Sequence, residues 1–130
     1  MRLFVVVLCL FVVTACYRDS PVAPINQEIT LAPGQAARIN GTGLSVTFTG
    51  VSGDSRCPAD ALCVLGGSAT VRVEAADAAG GRREVTFETG DLKPVAYDSL
   101  TLELLQLAPY PFSAAPIKPG DYRATMRVTR

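Results

Sequence analysis

The chain lacks histidine and tryptophan altogether, and it has no surplus of charge of either sign. Histidine is the side chain most used for general acid–base catalysis near neutral pH and the commonest metal ligand. Its absence excludes Ser–His and Cys–His catalysis and every zinc site built on histidine. Twelve basic residues balance twelve acidic ones, so no basic excess favours nucleic-acid binding. With 130 residues, the chain has room for a single domain.

Long apolar runs are scarce, and the longest lies at the amino terminus. It covers 13 residues from Leu3 to Ala15, whereas a helix needs about 20 to cross a bilayer. One positive charge, Arg2, precedes the run, and small residues end it. This arrangement is typical of a secretory signal peptide, so residues 1–15 are predicted to be a leader that is removed.

The end of this leader is more specific than an ordinary cleavage site. Val13-Thr14-Ala15-Cys16 resembles the lipobox of bacterial lipoproteins, which has an aliphatic residue, two small residues and an obligatory cysteine. The resemblance implies that Cys16 carries a diacylglycerol after the leader is cut, so that the membrane is a partner through the lipid anchor. Tyr17 stands where lipoproteins kept at the inner membrane often carry aspartate. The resemblance therefore places the anchor in the outer membrane, facing the periplasm or the cell surface.

The segment that follows the lipobox is polar, contains two prolines and shows no apolar period. We interpret residues 16–26 as the lipidated cysteine and a flexible tether. In polyproline form it would extend about 30 Å at about 3.1 Å per residue. Residues 27–130 are then the folded domain.

Four cysteines are present, but only two of them belong to this domain. Cys9 leaves with the leader and Cys16 carries the lipid, which leaves Cys57 and Cys63. In a compartment where disulfides persist, the pair is predicted to be a structural disulfide. The alternative is a reduced pair that binds a soft metal such as Cu(I) with Met126, a poor set of ligands.

The region around the first of these cysteines carries a second resemblance. It reads D-S-R-C-P, followed by C-V and a glycine before an alternating strand. This is similar to a group of bacterial secreted and lipid-anchored proteins with D-S-R-C-P, C-V-W-x-G and P-Y-P…D-Y. The resemblance implies a common fold and no activity. The matching residues are Asp54 to Pro58, Cys63-Val64, Gly66, Pro109 to Pro111 and Asp121-Tyr122, and Leu65 replaces the tryptophan of that group.

The rest of the chain alternates apolar and polar residues, which predicts half-buried strands. The pattern predicts an antiparallel β-sandwich or small barrel of about six to eight short strands. Residues 69–87 are expected to form a hairpin, and so are residues 29–39. Leu105 and Leu107 switch the inward face, which predicts either a bulge there or a strand buried on both faces. The clearest inward faces are Leu44, Val46 and Phe48; Ala69, Val71, Val73 and Ala75; Leu100, Leu102 and Leu104; and Tyr122, Ala124, Met126 and Val128.

Candidate binding residues lie in the loops rather than in the strands. Asp54, Arg56 and Asp60 flank the predicted disulfide, and Tyr110 lies in a proline-rich segment. Arg56 could pair with a neighbouring aspartate or reach a partner's carboxylate. Loop aspartates usually cap turns, so we predict no catalytic residue, no metal site and no cofactor.

These observations predict a protein that is not an enzyme: a lipid-anchored envelope protein with a binding or structural β-sandwich. An envelope protein is the candidate partner, and nucleic acid is not. A first alternative is a protease inhibitor that presents loop 54–64, with Arg56 as the specificity residue. A lower alternative is a metal carrier or small envelope hydrolase that depends on Asp54, Asp60 or the thiol pair.

Overall fold

The computed structural model describes residues 20–130. The predicted leader and the lipidation site at Cys16 lie outside the described residues. Residues 20–130 contain a short 3-10 helix, Pro119–Asp121, and nine strands. The strands are β1 (Val22–Ala23), β2 (Glu28–Leu31), β3 (Ala36–Ile39), β4 (Ser45–Asp54), β5 (Ala69–Ala76), β6 (Arg82–Glu88), β7 (Val95–Tyr97), β8 (Leu100–Ala108) and β9 (Arg123–Thr129).

The strands form two sheets that enclose one apolar core. The first sheet has the order β1-β3-β4-β5-β6, and the second has the order β2-β9-β8-β7. Every pairing is antiparallel except that of β1 with β3. The sheets do not close on each other, so the molecule is a β-sandwich and not a barrel. Across the described part of the chain, no helix is long and apolar enough to cross a membrane.

The alternation in the sequence places the core correctly. Every residue assigned to the clearest inward faces is buried. The predicted hairpin of residues 69–87 is confirmed by the pairing of β5 with β6. The predicted bulge in β8 is also confirmed, because the register shifts between Leu104 and Gln106. The extra residue, Leu105, allows both Leu104 and Leu107 to face the core.

The predicted hairpin of residues 29–39 is wrong. Strand β2 pairs with β9, whereas β3 pairs with β1 and β4 in the other sheet. The turn between them is present, since the amide of Gln35 donates to the carbonyl of Ala32 at 2.9 Å. It carries the chain from one sheet to the other. Alternation reports which face of a strand is buried, and it does not report which strand lies beside it.

The tether assigned to residues 16–26 is too long, because the sandwich begins before residue 27. Val22 and Ala23 pair in parallel with Arg38 and Ile39. Ala23 is buried, and Ile25 packs against the core. Only Val22 and Ala23 lie between Pro21 and Pro24, and two adjacent apolar residues cannot show a period, so the sequence did not reveal this strand.

The two ends of the first sheet differ. We call the end where β4 finishes, β5 begins and β6 finishes the disulfide end, because loop 55–68 leaves the sheet there. Strand β8 also finishes at this end, and segment 109–118 follows it. The opposite end carries the turn of residues 77–81 between β5 and β6, and we call it the hairpin end.

Candidate functional site at the disulfide end

The disulfide between Cys57 and Cys63 is confirmed, with the two Cα atoms 6.0 Å apart. It closes the tip of a loop whose neck is held by hydrogen bonds between Ser55 and Ser68. The amide of Ser55 donates to the carbonyl of Ser68 at 2.8 Å, and the hydroxyl of Ser55 donates to the same oxygen at 2.9 Å. A disulfide presents no thiolate, so the predicted alternative of a reduced, metal-binding pair does not fit this structure.

Gly67 is required at the neck of the loop. A Cβ atom built on Gly67 would overlap the backbone carbonyl of Ser55, which no side-chain movement can relieve. The neighbouring Gly66 has nothing within 4 Å of the corresponding position. The close approach of the two sides of the neck therefore depends on one glycine of the adjacent pair.

Arg56 lies at the base of the loop and is, within residues 20–130, the one charged residue that is buried. Its Nε donates to Oδ1 of Asp54 at 2.9 Å, and its Nη2 donates to Oδ2 at 2.6 Å. The side chains of Arg56 and Asp54 are 6% and 13% exposed, respectively. Two parallel charge-assisted hydrogen bonds with little solvent nearby make this a strong, directional pair.

The same guanidinium joins the two sheets. Nη1 donates to the carbonyl of Leu107 at 2.9 Å, and Nη2 donates to the carbonyl of Pro109 at 3.0 Å. These carbonyls lie at the end of β8, whereas Asp54 ends β4. The hydroxyl of Tyr122 donates to Oδ2 of Asp54 at 3.0 Å. We call Asp54, Arg56 and Tyr122, with the carbonyls of Leu107 and Pro109, the Arg56 cluster.

The ionisation states of the cluster follow from these contacts. The hydrogen bonds from the Arg56 side chain, with smaller contributions from its amide and from Tyr122, hold the pKa of Asp54 below its ordinary value. Burial raises the pKa of the Tyr122 phenol, and its bond to Asp54 acts in the same direction. The cluster therefore holds a carboxylate, a guanidinium and a neutral phenol at neutral pH.

A second set of contacts fastens segment 109–118 to the loop. The amide and the hydroxyl of Ser113 both donate to Oδ1 of Asp60, at 2.8 and 3.1 Å. The amide of Ala59 donates to the carbonyl of Pro111 at 2.9 Å. These bonds, chiefly that from the Ser113 amide, lower the pKa of Asp60. The loop and the segment thus form one layer over the disulfide end.

This layer exposes apolar side chains instead of polar ones. Leu62 and Val64 are fully exposed and Leu65 is 83% exposed, all three beside Cys63. Of the seven exposed large hydrophobic residues in the described part of the chain, six lie at the disulfide end: Leu62, Val64, Leu65, Leu92, Tyr110 and Phe112. We call these six residues the apolar end.

The predicted site residues therefore divide into two groups. Asp54, Arg56 and Asp60 are bonded within the chain, which fits a structural role, and the buried guanidinium of Arg56 does not suit the specificity residue of an inhibitor. Tyr110 is about half exposed, with its ring centroid 5.4 Å from the Arg56 guanidinium carbon. In residues 20–130, no group of three or more cysteine, aspartate or glutamate side chains is placed to hold a metal ion.

The exposed residues of the loop were not predicted as a site. The signal was present, because Leu62, Val64 and Leu65 surround Cys63 without fitting either strand period. They were predicted only as part of loop 54–64 or, for Leu65, as the replacement of a tryptophan, because exposure of an apolar side chain depends on packing that the sequence pattern does not show.

No protein-family model matches the sequence, and no curated protein or solved structure compared with the chain matches it.

Proposed function

We propose that the protein is a non-enzymatic, lipid-anchored β-sandwich of the bacterial envelope whose apolar end is its binding surface. Lipidation of Cys16 anchors it to the outer membrane, facing the periplasm or the cell surface. The apolar end carries this proposal, because six exposed hydrophobic side chains gathered at one end of a small domain are typical of an interaction site.

The polar residues of the same end support a binding role over a catalytic one. Asp54 accepts hydrogen bonds from Arg56 and Tyr122, and Asp60 accepts them from Ser113. Each carboxylate thus accepts hydrogen bonds from other groups of the same domain. The disulfide and the Arg56 cluster fix the loop before it binds, which lowers the ordering cost of association.

The anchor is tested by labelling cells with radioactive palmitate and separating their membranes. We expect the wild-type protein to carry the label in the outer-membrane fraction and Cys16→Ala to lose it. Cys57→Ala is the matched control, since it removes a different cysteine and should keep the label. A wild-type protein in the cytoplasmic fraction, or an equal label on Cys16→Ala, would contradict the proposal.

A protease inhibitor is the second candidate, favoured by the projection of the disulfide-closed loop. Because Arg56 is buried, the residue that enters a protease would be Leu62 or Val64, both fully exposed. Proteases that prefer apolar residues should then be inhibited by the oxidised protein and less by Leu62→Asp. No inhibition at micromolar protein would remove this candidate.

A further inference from the structure

The chain enters the sandwich from the direction of the disulfide end. Strand β1 runs parallel to β3, and β3 runs antiparallel to β4. Strand β1 therefore runs opposite to β4. Followed backwards from Val22, the chain approaches the disulfide end, where β4 finishes at Asp54. Ser20, the first described residue, lies beside the turn of residues 32–35. That turn is level with Phe48 of β4, because the amide of Gly34 donates to the carbonyl of Phe48 at 2.7 Å.

The distance along the sheet from the level of Phe48 to the level of Asp54 is about as long as the extended chain between Cys16 and Ser20. Phe48 is opposite Val73 and Asp54 is opposite Ala69, so the two levels lie four residues apart on β5. At about 3.3 Å per residue this is about 13 Å. The four Cα-to-Cα steps from Cys16 to Ser20 span at most about 14 Å when extended. A lipid on Cys16 therefore cannot hold the domain away from the membrane.

A fully extended chain of that length reaches at most the level at which β4 ends. We call the chain from Cys16 to Ser20 the link. When the link is extended towards the disulfide end, any part of the domain that projects beyond Asp54 lies as near to the membrane as the lipidated residue, or nearer. The part that projects is the disulfide loop, with Leu62, Val64 and Leu65 exposed. The hairpin end differs in character, because Arg82 and Arg83 are exposed there. With the link extended, the end of the domain nearest a lipid on Cys16 is thus the apolar one.

The charges at the apolar end indicate which part of a membrane it would meet. Loop 57–67 carries one charged residue, Asp60, which bonds to Ser113. Lys93, near the end of β6, is paired with Asp91 at 2.5 Å. Two further exposed basic residues lie at this end, Lys118 in segment 109–118 and Arg123 at the start of β9, where Arg123 donates to the carbonyls of Gly120 and Tyr122. Three basic residues are fewer than the cluster of about four to eight that typically binds anionic headgroups, so the apolar side chains are the stronger determinant here. Leucine and valine at the tip, with Tyr110 and Phe112 nearby, suit the boundary between headgroups and acyl chains.

We propose that the apolar end inserts into the membrane that carries the Cys16 anchor, with Leu62, Val64 and Leu65 entering the boundary between headgroups and acyl chains. This inference rests on the proposed lipid anchor and identifies the membrane as what the apolar end binds. The lipid and the loop together make two attachments, which hold the sandwich in one orientation with its hairpin end away from the bilayer. A single attachment would leave the domain free to rotate.

The absence of tryptophan allows a direct test, because one introduced tryptophan is the sole indole in the protein. Full-length, lipidated Leu65→Trp is reconstituted in vesicles of phosphatidylcholine and in vesicles whose acyl chains carry bromine near the headgroup. Bromine quenches an indole only on contact. Ala79→Trp, at an exposed position in the turn of the hairpin end, is the matched control. Val64→Trp is a second probe of the loop.

We expect the loop probes to lose more than half of their emission in brominated vesicles and to shift it to shorter wavelength. Ala79→Trp should keep its emission, and neither salt nor added anionic lipid should change the result. Protein that floats with the vesicles while its loop probes remain unquenched would overturn the inference and leave the anchor standing. A blue shift without quenching that rises with protein density would also overturn it, since the end would then pack against a second copy. Protein that fails to float would contradict the proposed anchor instead.

Discussion

Replacing Arg56 by methionine removes the guanidinium but keeps a side chain of similar length. The substitution deletes the bonds to both oxygens of Asp54 and to the carbonyls of Leu107 and Pro109. Asp54 keeps only the amide of residue 56 at 3.2 Å and the hydroxyl of Tyr122 at 3.0 Å, with its side chain 13% exposed. Removing one partner of a buried ion pair costs about 3–5 kcal/mol.

Because Asp54 keeps two donors and some contact with water, we expect Arg56→Met to lower the free energy of unfolding by about 3 kcal/mol, the low end of that range. A domain of this size has about 5–15 kcal/mol in total. Urea denaturation of the oxidised protein measures the change as a lower midpoint with an unchanged slope. The double variant Asp54→Asn/Arg56→Met also removes the negative charge, and it should regain part of the lost free energy of unfolding.

The chain provides a matched control on the outer face of the first sheet. Arg72 donates from Nε and Nη2 to the two oxygens of Glu84, at 3.2 and 2.7 Å, the same two-pronged arrangement. Its side chain is 46% exposed, so water screens the pair and Arg72→Met should shift the midpoint little. Equal shifts for Arg56→Met and Arg72→Met would refute the role assigned to the Arg56 cluster.

Three further predictions concern the same end. Cys57→Ser opens a ring of seven residues and should lower the free energy of unfolding by about 2.4 kcal/mol, as should reduction of the wild type, while reductant should leave the variant unchanged. Gly67→Ala forces apart the neck of the loop and should lower the melting temperature by several degrees; Gly66→Ala should not, and equal effects would contradict the close approach described above. Because the pKa of Asp54 is lowered in the folded state, its stabilising contribution is present above its ordinary value of 3.8 and is lost as pH falls through the folded value. Stability measured between pH 5 and pH 2 should therefore fall less in Asp54→Asn than in the wild type, and parallel curves would exclude Asp54 as a source of the acid sensitivity.

Much of this fold follows from the sequence, because alternation depends on local pleating. The inward faces of β4, β5, β8 and β9 and the bulge at Leu105 were predicted on that ground. The crossing of the chain from one sheet to the other at residues 32–35 was not predicted, since it depends on which strands become neighbours. Strand β1 was missed because Ala23 and Ile25 gain their burial from contacts with residues distant in the chain.

The candidate site was predicted in its chemistry and only partly in its geometry. The disulfide followed from counting cysteines, and the choice between a loop-stapling and an outward-facing Arg56 was left open. The structure favours the stapling role, because the carbonyls that receive the guanidinium lie more than fifty residues further along the chain. The apolar end was not predicted, because exposure of a leucine depends on the packing around it.

Intact mass of the protein purified from membranes tests the central claim most directly, when measured with and without reductant before alkylation. We predict the mass of a chain that begins at Cys16 and carries a thioether-linked diacylglycerol, with two further cysteines alkylated only after reduction. A chain without acyl groups, or one whose Cys57 and Cys63 alkylate without reductant, would contradict the account of an anchored, disulfide-fixed envelope protein.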